Sequence, residues 1–587
     1  MKDKTQWNLT DIYKNEEEFN KDVTELYNTI EKIKNFQGTL SKGAEQIYNC
    51  YKTYEYAIKI DEKLYSYAML KYHKDMSKNE SIKMYKKVEK ISTDFSEAVS
   101  FIEPELSKIS DGKLKEYLEK SKLKEFTKII EDIIKEKKHI LSEEVEKVIS
   151  KYAEVFGVSE NAYDIFTTTE FEFPSIKDKD NNELKVTNGL FSKYLMSEDE
   201  NIRKQAFESM YSLYKKHINT ITELYISRVK KTTISANVRN YKSSLDMATT
   251  ADDSSVEVYD CLINEVDKNL NLNHRYLELK RKLLNVEKLH TYDVYTNTLD
   301  VEDDNIEYED AKQTVLDALN IMGKDYTDKL KEAFDSNWLD VYETPNKMTG
   351  AYSMGVYGIH PFVLLNFVNS SRDVSTIAHE LGHSMHSYYA NKTQNAINAN
   401  YTIMVAEVAS TVNEILLATY LINKETDKRK KAALINEQLD MIRATLYRQT
   451  MFAEFEKQVH QKIEEGESLT SDSLNDIYYK LVQKYFGDSC EIDDMIKYEW
   501  ARIPHFYSCF YVYKYATGIT SAIVIASKIL SGKKGYVDRY INMLSQGGAK
   551  GSLELLKSVD VDLEKEETYE MAFEYFKNRL DELEKLV

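Results

Sequence analysis

Two histidines and a glutamate near the middle of the chain have the types and spacing of a zinc-binding helix. His379 and His383 are four residues apart, so on an α-helix their imidazoles project side by side and can offer two nitrogen ligands to one metal ion. Glu380 lies about 100° round the helix from His379. It is too far round to join the ligand pair, but it can reach a water molecule on the metal. The HExxH pattern therefore predicts a hydrolytic zinc site with Glu380 as the base.

The helix that must position these side chains is predicted over residues 373–391. Its opposite side is apolar and consists of Ile377, Ala378, Leu381, Met385 and Tyr388. We expect this side to lie in a core while the histidines face a cavity. Gly382, between the two histidines, allows a second backbone to come close.

A catalytic zinc ion takes three protein ligands and leaves one position for water. A metzincin is excluded, because its third histidine would fall where this chain has Tyr389. His386 is one turn further along the same rigid helix and cannot easily close a tetrahedron, so we expect it beside the ligands or in the core. The preferred third ligand is Glu407, a lone carboxylate in an apolar run of the next predicted helix, residues 403–423. Glu414 shares the face of Glu407 and can accept a proton from a ligand imidazole.

The composition and length indicate a mainly α-helical protein of two to four lobes. The chain has 587 residues, of which only 5 are Pro and 18 are Gly, and such a length exceeds one compact core. Its net charge of −19 argues against nucleic acid as the main partner and against a strongly acidic substrate.

The sequence also predicts a cytoplasmic protein. The amino terminus is polar and lacks the apolar stretch of a signal peptide, and no apolar run reaches the roughly 20 residues of a membrane span. The four cysteines are scattered without metal-type spacing, which fits reduced thiols.

Periodicity predicts amphipathic helices over 16–156, from 201 to about 284, and over 309–334. The stretch 168–187 is predicted to form a β-hairpin at a lobe boundary, and 291–298 a short extended segment. Before the zinc helix, a glycine-containing loop at 350–358 leads to a predicted strand at 362–368. The free edge of that strand can pair with an extended peptide substrate, although an ordinary core strand has the same sequence signature.

At these motifs the chain resembles the thimet oligopeptidase superfamily, and within it the oligoendopeptidase F family. The likeness extends beyond the zinc motif and the stretch around Glu407 to three further segments, residues 7–13, 350–352 and 502–507. It implies a helical shell around a deep cleft, Glu407 as third zinc ligand and Glu380 as catalytic acid and base. It divides the chain into an amino-terminal helical region (1–110), an oligopeptidase F-type region (111–190) and a catalytic domain (191–587).

The resemblance also implies a histidine and tyrosines, carried by a carboxyl-terminal helix, that bind substrate and stabilise the transition state. His505 matches the histidine. Tyr507, Tyr511 and Tyr515 follow at helical spacing and are the candidate tyrosines, with Tyr513 lying between them. Aromatic core packing is the alternative for any one of them.

These observations predict a zinc endopeptidase, with one Zn²⁺ per chain, that cuts short oligopeptides and has no nucleic acid or membrane partner. Water activated by the metal attacks the peptide carbonyl, and Glu380 carries its proton to the leaving amine. A related metallocarboxypeptidase or dipeptidyl carboxypeptidase is the nearest alternative, and it would need a cation for the free carboxylate of the substrate. A non-catalytic peptide-binding helical protein is the alternative from another class.

Overall fold

Helices form most of the chain, which confirms the mainly α class predicted from the composition. The computed structural model describes residues 4–299 and 305–587, so the first three residues of the polar amino terminus lie outside it. The α-helices up to the hairpin are α1 (Glu16–Lys34), α2 (Ala44–Lys74), α3 (Asn79–Val99), α4 (Ile102–Ser107), α5 (Asp111–Lys120), α6 (Thr127–Glu136), α7 (Glu143–Phe156) and α8 (Val158–Thr169). Those that follow are α9 (Asn188–Leu195), α10 (Glu200–Lys216), α11 (Ile218–Val238), α12 (Ser244–Ala251), α13 (Val256–Lys268), α14 (Leu270–Leu283), α15 (Tyr308–Ala318) and α16 (Lys324–Asp335).

The second half of the chain continues in the same way. Its α-helices are α17 (Ser371–Thr393), α18 (Ala396–Ala399), α19 (Ile403–Lys424), α20 (Lys428–Ile442), α21 (Arg448–Glu464), α22 (Ser471–Phe486), α23 (Tyr513–Leu530), α24 (Tyr536–Leu544), α25 (Ser552–Ser558) and α26 (Glu566–Leu586). The strands found in the described residues are β1 (Ile176–Lys177), β2 (Glu183–Leu184), β3 (Leu289–His290), β4 (Leu339–Tyr342), β5 (Tyr352–Met354), β6 (Phe362–Phe367) and β7 (Cys490–Glu491).

The chain divides into two units, each assembled from three separate segments. The first unit comprises Met1–Ile140, Asp303–Leu421 and Val524–Val561, and the second comprises Leu141–Glu302, Ile422–Ile523 and Asp562–Val587. The three regions implied by the family resemblance, 1–110, 111–190 and 191–587, stay a prediction.

The main core of the first unit joins the amino terminus to the strands before the zinc helix. Trp7, Ile12 and Tyr13 are buried in one cluster with side chains of α1, α2 and α3 and with Phe362 and Leu364 of β6. The amino-terminal motif therefore anchors the chain against the sheet.

That sheet has three strands in the order β4-β6-β5, with β4 parallel and β5 antiparallel to β6. The strand predicted at 362–368 is therefore β6, but the expectation that its edge is free is wrong, because it is paired on both sides and almost wholly buried. A buried central strand reads as a continuous apolar run in the sequence. The two edge strands are β4 and β5, and β5 comes from the glycine-containing loop.

Three other predicted elements differ in detail. The hairpin is limited to β1 and β2, because Phe171 and Phe173 pack instead against the rings of Tyr214 and His217. The helix predicted over 309–334 is two helices, α15 and α16, with Gly323 at a positive φ of 88° between them.

An extended segment is predicted at 291–298, but these residues form turns. The neighbouring strand is β3, which ends at His290 and pairs in parallel with β7. The reason is local. The Asp293 carboxylate accepts a hydrogen bond from the backbone N–H of His290 at 2.9 Å. The backbone carbonyl of Asp293 accepts one from the backbone N–H of Thr296 at 3.0 Å, as in a turn.

Helix α19 has no uninterrupted apolar run of about 20 residues, because Glu407 and Glu414 break it. Its length and mean hydropathy nevertheless match a membrane span, and it is the one such helix among residues 4–299 and 305–587. However, 61% of its apolar window is buried inside the protein. It also carries the two acids, Glu407 and Glu414, that the sequence places at the metal site. These features are typical of a core helix.

Candidate metal centre

The HExxH motif lies on α17, which extends two residues beyond the predicted helix at each end. Ser370 begins it with a capping box, in which its hydroxyl accepts the backbone N–H of Asp373 and the Asp373 carboxylate accepts the backbone N–H of Ser370 at 2.9 Å. The apolar side of α17 is buried as predicted except at Tyr388, which is only half-buried. The ammonium groups of Lys329 and Lys392 lie 4.6 and 5.7 Å from the centre of its ring.

His379, His383 and Glu407 each point one ligand atom at a common centre. The Nε2 atoms of the two histidines are 3.2 Å apart, and Oε2 of Glu407 lies 3.7 Å from one and 3.8 Å from the other. Among the described residues this is the group of histidine, cysteine and acidic side chains close enough to hold a metal ion.

The donor set fits a tetrahedral zinc ion. Ligands about 2.0–2.1 Å from zinc at tetrahedral angles are about 3.3 Å from one another, and the distances between the three donors are close to this. Two neutral imidazoles and one carboxylate are the ligand types of a hydrolytic zinc site and leave a fourth position open.

Further contacts fix the orientation of both imidazoles. Oε2 of Glu414 lies 3.3 Å from Nδ1 of His379, the geometry of a carboxylate that accepts the ring N–H and leaves Nε2 for a metal. Burial disfavours the charged form of His379, but the hydrogen bond and charge of Glu414 outweigh it and raise the pKa. His383 bonds the backbone of Ala406, and burial together with the charge of His379 lowers its pKa to about 4. It is therefore neutral at physiological pH, as a metal ligand must be.

Gly382 lets α19 approach α17 closely enough for Glu407 to meet the histidines. A Cβ atom at position 382 would lie 2.6 Å from the carbonyl oxygen of Ala409 and 2.6 Å from Cα of Ser410. Asn413 adds a polar link between the helices, since its amide donates to the carbonyl of Ala378 at 3.0 Å while its oxygen accepts from Tyr326 at 3.0 Å.

Glu380 is buried beside the three donors without pointing at their centre. Burial raises its pKa to about 7, the charge of His379 opposes this rise, and Glu407 adds to it. The backbone N–H of Ser353, in β5, donates to its carboxylate. The Ser353 hydroxyl also meets the hydroxyl of Ser384 on α17 at 2.8 Å. A carboxylate with a pKa near neutrality can both accept and release a proton.

His386 is outside this group, as expected of a core residue. Its ring is buried and stacked on Tyr401 at 3.6 Å between centroids, and neither ring nitrogen has a hydrogen-bond partner. Burial lowers its pKa to about 3. Tyr389, the residue at the metzincin position, is likewise buried, with its ring stacked 6.3 Å from that of Tyr326.

His505, Tyr511 and Tyr515 form a ring cluster within the second unit. The ring centroids of His505 lie 6.2 Å from Tyr511 and 6.1 Å from Tyr515, and the two tyrosine rings are 5.5 Å apart. All three side chains are at least partly exposed to solvent, and partial burial of the imidazole lowers the pKa of His505.

The expected helical stripe of tyrosines is not formed. Tyr507 ends a short 3₁₀ helix (Pro504–Tyr507), and α23 begins only at Tyr513. Tyr507 is buried against Tyr163 of α8 at 4.3 Å between ring centroids. Tyr513 donates its hydroxyl to Asp252 at 3.0 Å. Neither residue joins the cluster around His505.

The sequence reasoning did not anticipate the contacts of Ser353 and Asn413. A backbone N–H that meets a carboxylate 27 positions away has no sequence signature. Asn413 offered a weak signal, as an amide in an otherwise apolar stretch of α19.

Comparisons with known proteins agree with this geometry. The sequence model of peptidase family M3 matches residues 193–575, and that of oligopeptidase F matches residues 105–173. The chain is 39% identical over 582 residues to oligopeptidase PepF of Bacillus subtilis, covering 99% of this chain and 87% of that protein. It is 35% identical over 587 residues to an oligoendopeptidase F homolog of Lactococcus lactis, covering 100% of this chain and 98% of the relative.

A solved structure shows the same fold. The crystal structure of oligoendopeptidase-F from Enterococcus faecium superposes with a TM-score of 0.74 at 33% identity, covering 97% of this chain and 99% of that one. Together with the donor group on α17 and α19, these similarities establish that the chain belongs to peptidase family M3 and is a metalloendopeptidase of the oligoendopeptidase F type.

Proposed function

We propose that this enzyme is a cytoplasmic zinc endopeptidase for short oligopeptides, in which His379, His383 and Glu407 hold one Zn²⁺ and Glu380 moves the proton. The observation that carries the proposal is the convergence of the three donor atoms within 4.8 Å of one another, with the Glu380 carboxylate beside them. The bacterial oligopeptidase relatives support the cytoplasmic location.

Bound Zn²⁺ supplies a Lewis acid that polarises the scissile carbonyl and acidifies water. Glu380 takes the proton from the attacking water and gives it to the departing amine. The backbone N–H of Ser353 and the burial of Glu380 fix the direction and proton affinity of this carboxylate. Glu414 holds the His379 ring with Nε2 toward the other ligand atoms.

The outer edge of β5 is the proposed binding edge for the peptide main chain. One side of β5 is paired with β6, while α17 packs against the strand. An extended peptide added at the outer edge gains main-chain hydrogen bonds and lies along the strand that contacts Glu380. The binding edge expected of β6 is thus reassigned to β5.

His505, Tyr511 and Tyr515 are proposed, from the family resemblance, to stabilise the oxyanion formed as water attacks. Their partial exposure and mutual proximity support the role, because a donor must be accessible to substrate. Tyr507 does not share these properties, so we leave it out of the proposal.

The test compares the wild type with Glu380→Gln on a fluorogenic peptide blocked at both ends. Cleavage of the blocked peptide by the wild type supports an endopeptidase, whereas cleavage only of peptides with a free carboxyl terminus supports a carboxypeptidase. Glu380→Gln should retain its zinc and bind peptide but lose nearly all activity. Glu332→Gln, an exposed acid on α16, is the matched control and should retain full activity. A Glu380→Gln variant with wild-type kcat would assign the base to another residue.

A further inference from the structure

The chain makes an unusual turn between His505 and helix α23. Phe510 has a positive φ of 58°, a left-handed conformation that is rare for a bulky residue and is kept only where its surroundings enforce it. Its side chain is buried, with its ring 5.8 Å from that of Tyr259 and 4.4 Å from that of His460. The turn is therefore held inside the second unit.

One buried carboxyl group holds the backbone of this turn. The N–H of Phe510 donates to Oε1 of Glu456, on α21, at 2.8 Å. Glu456 is wholly buried, and this is its hydrogen bond within the described part of the chain, since Oε2 has no partner. Burial raises the pKa of Glu456 well above its usual range. Burying a carboxyl is costly unless it is hydrogen-bonded or paired, and here the Phe510 N–H supplies that bond.

The turn decides where the first candidate tyrosine lies. Tyr511 follows Phe510 directly, and its carbonyl accepts the backbone N–H of Lys514 at 3.2 Å as α23 begins. A change of φ at Phe510 would change the direction in which the chain continues to Tyr511 and Tyr515, and so their positions relative to His505. The ring distances of 6.2 Å from His505 to Tyr511 and 6.1 Å to Tyr515 thus depend on the turn.

We propose that Glu456 is a positioning residue, which holds the left-handed turn at Phe510 and thereby places Tyr511 and Tyr515 beside His505. The inference rests on the role proposed above for these three side chains. Glu456 itself is wholly buried and does not touch substrate.

The experiment compares two substitutions of similar length. Glu456→Met removes the acceptor, whereas Glu456→Gln keeps a side-chain oxygen that can accept the Phe510 N–H. Misplacement by about 1 Å can cost about 100-fold in rate, so Glu456→Met should lower kcat by about 10- to 100-fold. KM and zinc content should change little. Glu456→Gln should restore most of kcat.

The matched control is Glu265→Met. Glu265 is also a buried glutamate of the second unit, but within the described residues its ion pair is with Lys268, one turn along its own helix. This variant should keep the wild-type kcat.

A further measurement reports on the turn without an activity assay, through the thiol of Cys509, the neighbour of Phe510. The Thr232 hydroxyl donates a hydrogen bond to the Cys509 sulfur at 3.3 Å. Cys261, the other partly exposed cysteine, is first replaced by serine so that it does not react. In this Cys261→Ser background, Glu456→Met should raise the reaction rate of the Cys509 thiol with a disulfide reagent, and Glu456→Gln should not.

Glu456→Asp is the second variant should Glu456→Met fail to fold, since it keeps the carboxyl but withdraws it from the turn. Equal kcat for the Met or Asp variant and for Glu265→Met would overturn the proposal, as would equal loss in the Met and Gln variants. The double variant Tyr511→Phe/Tyr515→Phe distinguishes failure of the positioning proposal from failure of the role proposed for the tyrosines. If this double variant loses kcat while Glu456→Met retains it, the positioning proposal fails alone. If the double variant keeps full kcat, the role proposed for the tyrosines fails.

Discussion

Gly382→Ala should disrupt the metal centre without touching a ligand. In an ordinary helix interior this change stabilises by about 1 kcal/mol, because alanine is the better helix former. Here the new methyl group would lie 2.6 Å from backbone atoms of Ala409 and Ser410, about 0.8 Å closer than the 3.4 Å lower limit of ordinary contact. Backbone cannot rotate away as a side chain can, so α17 and α19 must separate. Overpacking of this kind costs about 1–3 kcal/mol, which outweighs the gain in helix propensity.

The separation of the helices also reaches the ligands. Glu407 lies two residues before Ala409 on α19, and zinc–ligand distances tolerate only about 0.2 Å of change. We therefore expect a lower melting temperature in the presence of a chelator, which removes the contribution of bound metal. We also expect weaker zinc binding in competition with a chromogenic chelator. Gly112→Ala, at an exposed position of helix α5 with nothing within 4 Å of the added methyl group, is the control and should keep its zinc affinity. A Gly382→Ala variant with wild-type melting and zinc affinity would refute the close-approach argument.

Three more outcomes are expected. Glu407→Ala should weaken zinc binding at least about 100-fold while far-UV circular dichroism stays unchanged, and full zinc occupancy at submicromolar free zinc would give the ligand role to another residue. Glu414→Ala should weaken zinc binding by about 10- to 100-fold, because the His379 ring loses its orienting acceptor, and unchanged affinity would contradict that role. Burial raises the pKa of Glu62 to about 7 from 4.5. The free energy of unfolding that protonated Glu62 contributes is therefore complete below pH 4.5, and it is lost as the pH rises through 7. Glu62→Gln should accordingly gain up to about 3 kcal/mol on the wild type at pH 8 and much less at pH 5. A gap in melting temperature that is the same at both pH values would contradict this reasoning.

Local periodicity explains what the sequence predicted well. His379, Glu380 and His383 share one helix, so their relative directions follow from helix geometry alone. Glu407 could be proposed from its apolar neighbours, because a carboxylate in such a stretch needs a compensating partner. The mainly α class followed from the scarcity of proline and glycine.

Long-range contacts and backbone strain explain what the sequence did not predict. Nothing in the run 508–512 marks a break between Tyr507 and α23, since it contains no glycine or proline, and so the tyrosines looked like one helical stripe. The left-handed turn at Phe510 depends on Glu456, 54 positions earlier. The central position of β6 depends on pairing with strands on both sides, which an apolar run cannot reveal.

The three-segment construction of each unit sets the order in which the enzyme can mature. The backbone carbonyl of Asn398, in the stretch between α17 and α19, accepts the backbone N–H of Gly548 at 2.8 Å, and Gly548 is made 150 residues later. The second unit likewise needs its last segment, Asp562–Val587, which contains α26. Neither unit can therefore close while its carboxyl-terminal segment is still in the ribosome. The proposed ligand residues leave the ribosome long before Gly548, so a stable metal site can form only after the last segment of the first unit, Val524–Val561, has also emerged.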